Sequence, residues 1–381
     1  VAISVAGGVR PGKIIEIEHR LYQQLILGKQ KASPTLLDEL DRELEADANK
    51  LDIEREAILA RMMKQLQARE VFEAVSKQLT ATVNNAIEHQ LASPELVLVQ
   101  ADINESQILL LELLLAKNLD ATRLRPLISN LSWLCRDLTN MVNSPAFRAH
   151  RPQGADVHVT DIKLVMSYIG IENLRTIIPY FCLRNWLPSG NAKLLWTTRK
   201  LWRYSIISGI AANALAKLHN TDSALVYSSA LLNQLGTSVV LSLSARLFDK
   251  TWGTWIREAS SSRDKEVYDA VIATEFPAKV VFEQVLNHGL KLNWQLLTLL
   301  EFEHSPLTLL LKELDQTLSY RELSPQAAIV ARANCYAKVV LLEEMRHIEP
   351  QEKRLMFDYY ELTEQEVLRL KAQNYRKLDL L

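Results

Sequence analysis

Eight histidines are spread along the 381 residues, and their neighbours decide whether any of them can work as a catalyst. A hydrolytic metal centre needs imidazoles and carboxylates at ligand spacing, so that a divalent cation can polarise a bound water. His19, His89, His150, His219, His288 and His347 have no such companions nearby in the chain. His158 and Asp161 stand close together, but HVTD opens a predicted helix, where Thr160 or Asp161 reads as its N-cap. His304, in EFEHSP, has no carboxylate set around it and is expected at a helix end or in the core. No His-Asp dipeptide occurs anywhere, nor a GxGxxG, a P-loop, an HExxH or a GxSxG. Cys135, Cys182 and Cys335 are far apart and form no CxxC pair, so they read as small buried apolar residues of a reduced compartment.

The elements that must carry these residues are helices. Only 11 glycines and 12 prolines interrupt the chain, which is rich in Leu, Ala, Glu, Lys and Gln. Serine precedes proline at Ser33, Ser93, Ser144, Ser305 and Ser324, an arrangement that suits helix starts because the N–H that proline lacks would be unpaired there. TEQE at residues 363–366 predicts a capping box for a last helix. Strand alternation is absent, except as a suggestion in the first few residues. The fold class is therefore all-α, a multi-helix bundle, and residues 201–218 (LWRYSIISGIAANALAKL), apolar nearly all round, belong at its centre. Four stretches follow: 1–92, an amino-terminal helical region; 93–190, ending in the loop LPSG; 191–345; and a helical tail, 346–381. Within the first, residues 38–56 are strongly acidic beside an apolar stripe of Leu36, Leu37, Leu40 and Leu44, a pattern that reads as the solvated face of a packed helix.

Charge and hydropathy exclude several classes of function. Forty-four basic side chains meet 45 acidic ones, and such a balance gives no excess for phosphate neutralisation, so no nucleic-acid partner is expected. The seven tryptophans lack an interleaved basic cluster and read as core and interface anchors. The longest apolar run, residues 108–116, is broken by Glu112 and falls short of the ~20 residues of a membrane span. VAISVAGGVRPGK is a poor secretory signal, so a cytoplasmic protein without membrane contact is expected.

Two segments carry a recognisable order of residues. LTNMVNSPAF at 138–147, followed by VTDIKLVMSYIGIENLRTII at 159–178, resembles the HDOD pattern of a helix ending in an Asn-Ser turn and a helix pair after it. WRYS from residue 202, then AANALAK, then SSALLNQLGTSVV resembles the HD-superfamily core, where a tryptophan-led helix precedes a GLLHDIG helix. EVYDAVIATEFPAKVVFEQVL, LLTLLEFEHSPLT and AAIVARANCYAKVV continue the series in the same order, so the resemblance covers roughly residues 95–345.

The HD superfamily holds its metal with an early histidine, the His-Asp pair and a late aspartate. By the resemblance those positions are Tyr204, Asn233 with Gln234, and Asn334 in this chain. Amides and a phenol bring no negative charge and are weak ligands for such cations. The resemblance thus implies a non-catalytic bacterial signal-transduction module, without cofactor or metal, that binds a signalling protein partner, commonly in two-component or cyclic-dinucleotide pathways. Arg203, Tyr204, Asn233, Gln234, His304 and Asn334 are the candidate lining of a vestigial pocket. An alternative is that this pocket still holds a nucleotide or other phosphorylated ligand without turning it over. A minor one keeps a metal-dependent phosphohydrolase with ligands in another register.

Overall fold

The computed structural model describes residues 8–28, 52–149, 158–188 and 190–376. Most of the acidic stretch and its whole leucine stripe, together with the Ser33-Pro34 pair, fall outside them. The described helices begin with α1 (Gly12–Ile26), α2 (Asp52–Leu91), α3 (Pro94–Gln100), α4 (Glu105–Leu115), α5 (Ala121–Asn130) and α6 (Ser132–Val142). Next come α7 (Pro145–Arg148), α8 (Ile162–Ile169), α9 (Ile171–Trp186), α10 (Leu195–Leu218), α11 (Ser223–Leu232) and α12 (Leu235–Ser262). The last are α13 (Lys265–Ala273), α14 (Ala278–Leu299), α15 (Pro306–Gln316), α16 (Pro325–Glu344), α17 (Pro350–Tyr359) and α18 (Glu364–Lys371). The fold is all-α, and among the described residues no strand forms; one isolated antiparallel bridge joins Val9 to Ser319.

Local chemistry sets where these helices start. The hydroxyls of Ser144, Ser305 and Ser324 accept the backbone N–H of Phe147, Leu307 and Ala327, each with proline following at the first helical position. Ser93 also precedes its proline at a helix start, but makes no side-chain cap. Asp161 caps α8 by accepting from the Lys163 N–H at 2.9 Å, so the HVTD segment is a helix start. The Thr363–Glu366 capping box opens α18. Between α8 and α9 the chain turns at Gly170 with φ of +80°, a conformation that side chains with a Cβ adopt rarely.

Helix α10 sits at the centre, packed along α11 on one side and α16 on another. Gly209, Ala211, Ala212, Ala214 and Ala216 keep its flanks thin, and Leu201, Ile207 and Leu215 are almost fully buried. α12 pairs closely with α14, and α2 lies across α12, α13 and α14. α1, in contrast, packs on α10, α14, α16 and α17, all distant in sequence. Its Ile14, Ile17, Leu21 and Leu25 recur at helical spacing and are buried to within 1%. The stretch Ser223–Ser262 contains a window apolar enough to cross a membrane by composition, but 94% of that window is buried inside the protein, as suits a core pair of helices. Cys182 and Cys335 are buried and Cys135 is half-buried.

Candidate functional site

The turn between α11 and α12 is the pivot of the site. Asn233 ends α11 and Gln234 precedes α12. The buried Asn293 of α14 fixes both sides of this turn. Its Oδ1 accepts the Gly236 N–H at 2.7 Å, and its Nδ2 donates to the Asn233 carbonyl at 2.9 Å. α14 approaches so closely that a Cβ on Gly236 would lie 2.0 Å from the Gly289 carbonyl oxygen, which explains the glycine after NQL.

On neighbouring helices, α10 carries Tyr204 and α16 carries Asn334. Tyr204 and Gln234 are fully buried, and Asn233 and Asn334 are 7% and 6% exposed. Buried polar atoms normally have partners. Here the Tyr204 hydroxyl, Gln234 Nε2 and Asn334 Oδ1 have none among the described residues.

Helix α1 covers the site. The Tyr22 hydroxyl donates to Gln234 Oε1 at 3.1 Å. One turn earlier, Glu18 is buried in an apolar stripe, and its Oε1 accepts from Lys338 Nζ at 2.6 Å and from the Tyr360 hydroxyl at 2.7 Å. Its Oε2 takes Arg10 Nη1 at 3.2 Å. Burial alone would raise the Glu18 pKa, but Lys338 and Arg10 outweigh it and hold the carboxyl down at about 2. Lys338 stands one turn after Asn334 on α16. His19 borders the same cleft, where burial lowers its pKa and Lys338 and Arg10 oppose its protonation further. The open space left between Tyr22, Asn233, Thr237 and Lys338 is about 80 Å³.

The residues present do not suit a divalent metal. Burial, aided by Tyr22 and Glu18, pushes the Tyr204 phenol well above its ordinary pKa, so it offers no phenolate. Three amides supply no charge, and the Glu18 carboxylate is already committed to two cations and a phenol. Among the described residues no three His, Cys, Asp or Glu side chains cluster as a ligand set.

Of the six candidate residues, Asn233 and Gln234 form the turn, Tyr204 is buried near Tyr22 and Glu18, and Asn334 is buried on α16 one turn before Lys338; the other two lie away from it. The Arg203 guanidinium turns outward to the Glu344 carboxylate, because its place on α10 is the partly exposed edge beside α16. The His304 imidazole is 94% exposed in the turn before α15, with only Glu303 near it. A helix-start turn puts it in solvent, neither in the core nor in the pocket. Sequence reading missed Glu18, Tyr22 and Lys338. The signals were there: a carboxylate in the apolar stripe of α1, and a lone lysine in the apolar run of α16.

This architecture, a central α10 with α11, a tight turn, α12 and α16 around it, is an all-α bundle. The HDOD domain model matches residues 102–274, and that part of the chain is an HDOD domain. The match takes in Tyr204 and the Asn233–Gln234 turn, while α1 and α16 lie outside it. No curated protein and no solved structure matches the chain.

Proposed function

We propose that the protein is a non-catalytic signal-transduction module that acts by binding another protein. One observation carries this reading: the HD-type centre is built from neutral side chains and is closed by the chain's own α1, whose Tyr22 and Glu18 fill it. With no group to hold a metal hydroxide, the bundle is left with recognition as its chemistry. The alternative of a nucleotide held without turnover fits less well. The residual 80 Å³ admits about two or three waters at ~30 Å³ each, whereas small-molecule pockets begin near ~300 Å³.

The test has two arms. Purified protein with added Mn²⁺ is assayed on phosphomonoesters and cyclic dinucleotides, and no turnover is expected. Hydrolysis that a Gln234→Ala substitution abolishes would overturn the reading. Partners cross-linked in the native cell are then purified and titrated against the protein. One-to-one binding of a purified candidate supports the proposal, and failure of every candidate to bind sinks it.

A further inference from the structure

Helix α2 holds 40 residues, about 60 Å at ~1.5 Å per residue, and its second half is the part embedded in the bundle. Leu79, Val83, Ile87 and Leu91 are buried there, where α2 crosses α12, α13 and α14. Further towards its start, Gln67 Nε2 still reaches Glu266 of α13, at 3.4 Å. Before Gln67 the helix stands in solvent. Between Ala57 and Leu66 every described side chain is exposed except that of Met62, which is half-buried. Met63 is 71% exposed and Leu66 45%. These two do not continue the packed face. At ~100° per residue, Leu66 and Met63 lie about 140° and 160° round the helix from Leu79, so this stretch carries an apolar face of its own, turned from the bundle.

The charges around that face match a second copy of it. Counted from the midpoint between Met62 and Met63, Leu59 and Leu66 stand at equal distances on either side. So do Glu56 and Arg69, and so do Arg55 and Glu70. A copy of the helix turned end for end about this midpoint sets leucine on leucine, methionine on methionine, and each of these carboxylates on an arginine, on both sides of a two-fold axis. A parallel copy in register sets arginine on arginine and glutamate on glutamate instead, which is repulsive. Glu73, whose opposite number is the like-charged Asp52, is already engaged by Arg69 of its own chain at 2.7 Å. We propose that the projecting half of α2 is a homodimer interface, in which two copies of this chain pack antiparallel across Met62, Met63 and Leu66. Exposed ion pairs contribute little energy each, and the apolar contact is short, so the charges set the orientation and the dimer dissociates on dilution. The pairing stands whether or not the module also binds a signalling protein.

Sedimentation velocity on the full chain from about 1 to 200 µM tests it, and a dimer that dissociates within this range is expected. Met63→Glu, at a position exposed in the monomer, sets like charges face to face at the axis. It should weaken dimerisation at least about tenfold with Tm unchanged. Arg69→Glu should weaken it about tenfold as well, and adding Glu56→Arg should restore it. The two positions are ~20 Å apart within one helix, so only a contact between copies can produce that rescue. A monomer throughout the range overturns the proposal. So does a dimer indifferent to Met63→Glu, or an Arg69→Glu effect that is absent or that Glu56→Arg does not repair.

Discussion

Replacing Glu18 by glutamine tests the closure of the HD-type centre most directly. The side chain keeps its volume and can still accept from Tyr360, but its charge is gone. Lys338, 13% exposed, then stands buried beside a neutral amide; Arg10, 33% exposed, is better hydrated and loses less. Removing one partner of a buried ion pair typically costs about 3–5 kcal/mol. Acid linkage gives an independent figure. The fall of the Glu18 pKa from an ordinary 4.5 to about 2 corresponds to about 3 kcal/mol of native-state stabilisation. Because the folded value is the lower one, this contribution is complete above pH 4.5 and drains away as pH falls towards 2.

Urea unfolding of the wild type and Glu18→Gln from pH 7 down to pH 3 measures both features. A loss of about 3 kcal/mol is expected at pH 7, and it should shrink steadily below about pH 4.5. Glu352, also held at about 2, chiefly by its hydrogen bond to Arg20, is acid-labile too, but it is common to both proteins and cancels in the difference. A double variant, Glu18→Leu with Lys338→Met, should recover most of the loss, since apolar replacement of a buried pair is often neutral or better. In a Cys135→Ser background, the buried Cys335 should become reactive to thiol reagents in Glu18→Gln before Cys182 does, if α1 lifts locally. A loss below about 1 kcal/mol, or one independent of pH, would refute the reasoning, because a buried uncompensated lysine cannot be that cheap.

Other perturbations probe the neighbouring contacts. Asn293→Leu strands the Gly236 N–H and the Asn233 carbonyl at once and should cost about 2–4 kcal/mol in denaturant unfolding. Gly236→Ala drives a methyl into the Gly289 carbonyl, with an expected loss of about 1–3 kcal/mol and a lowered Tm. Glu366, 1% exposed, accepts from Thr363 and bonds His219 Nε2 at 2.7 Å while pairing with Arg332. Glu366→Ala should therefore free α18, seen as proteolytic cleavage near residue 362 that the wild type resists.

The helical class was legible because its determinants are local. Caps at Ser144, Asp161, Ser305 and Thr363, and the apolar stripe of α1, are each written within a few residues. The centrality of α10 was legible too, since a helix apolar on all sides has only one environment that suits it. The composition of the site was half legible. Tyr204, Asn233, Gln234 and Asn334 could be placed by serial order along one superfamily pattern. Glu18 and Lys338 lie 320 positions apart, and only the tertiary path of α1 back across α16 joins them. Arg203 and His304 failed for a simpler reason: order along a chain says which turn a residue occupies, not which way its side chain leaves it.

What closes the centre comes from outside the HDOD domain. Tyr22 and Glu18 precede residues 102–274, and Lys338 and Tyr360 follow them. Without α1 over them, Tyr204 and Gln234 would meet water, where their unpaired atoms would be solvated at no loss. Covering them with α1 creates the cost of orphaned polar atoms, which the buried apolar face of Ile14, Ile17, Leu21 and Leu25 offsets, at about 1.5–3 kcal/mol per side chain. That exchange makes the chain's two ends one structural unit with the domain between them. A change in the packing of α1 must therefore be felt at the Asn233–Gln234 turn, and a change at that turn must be felt by α1.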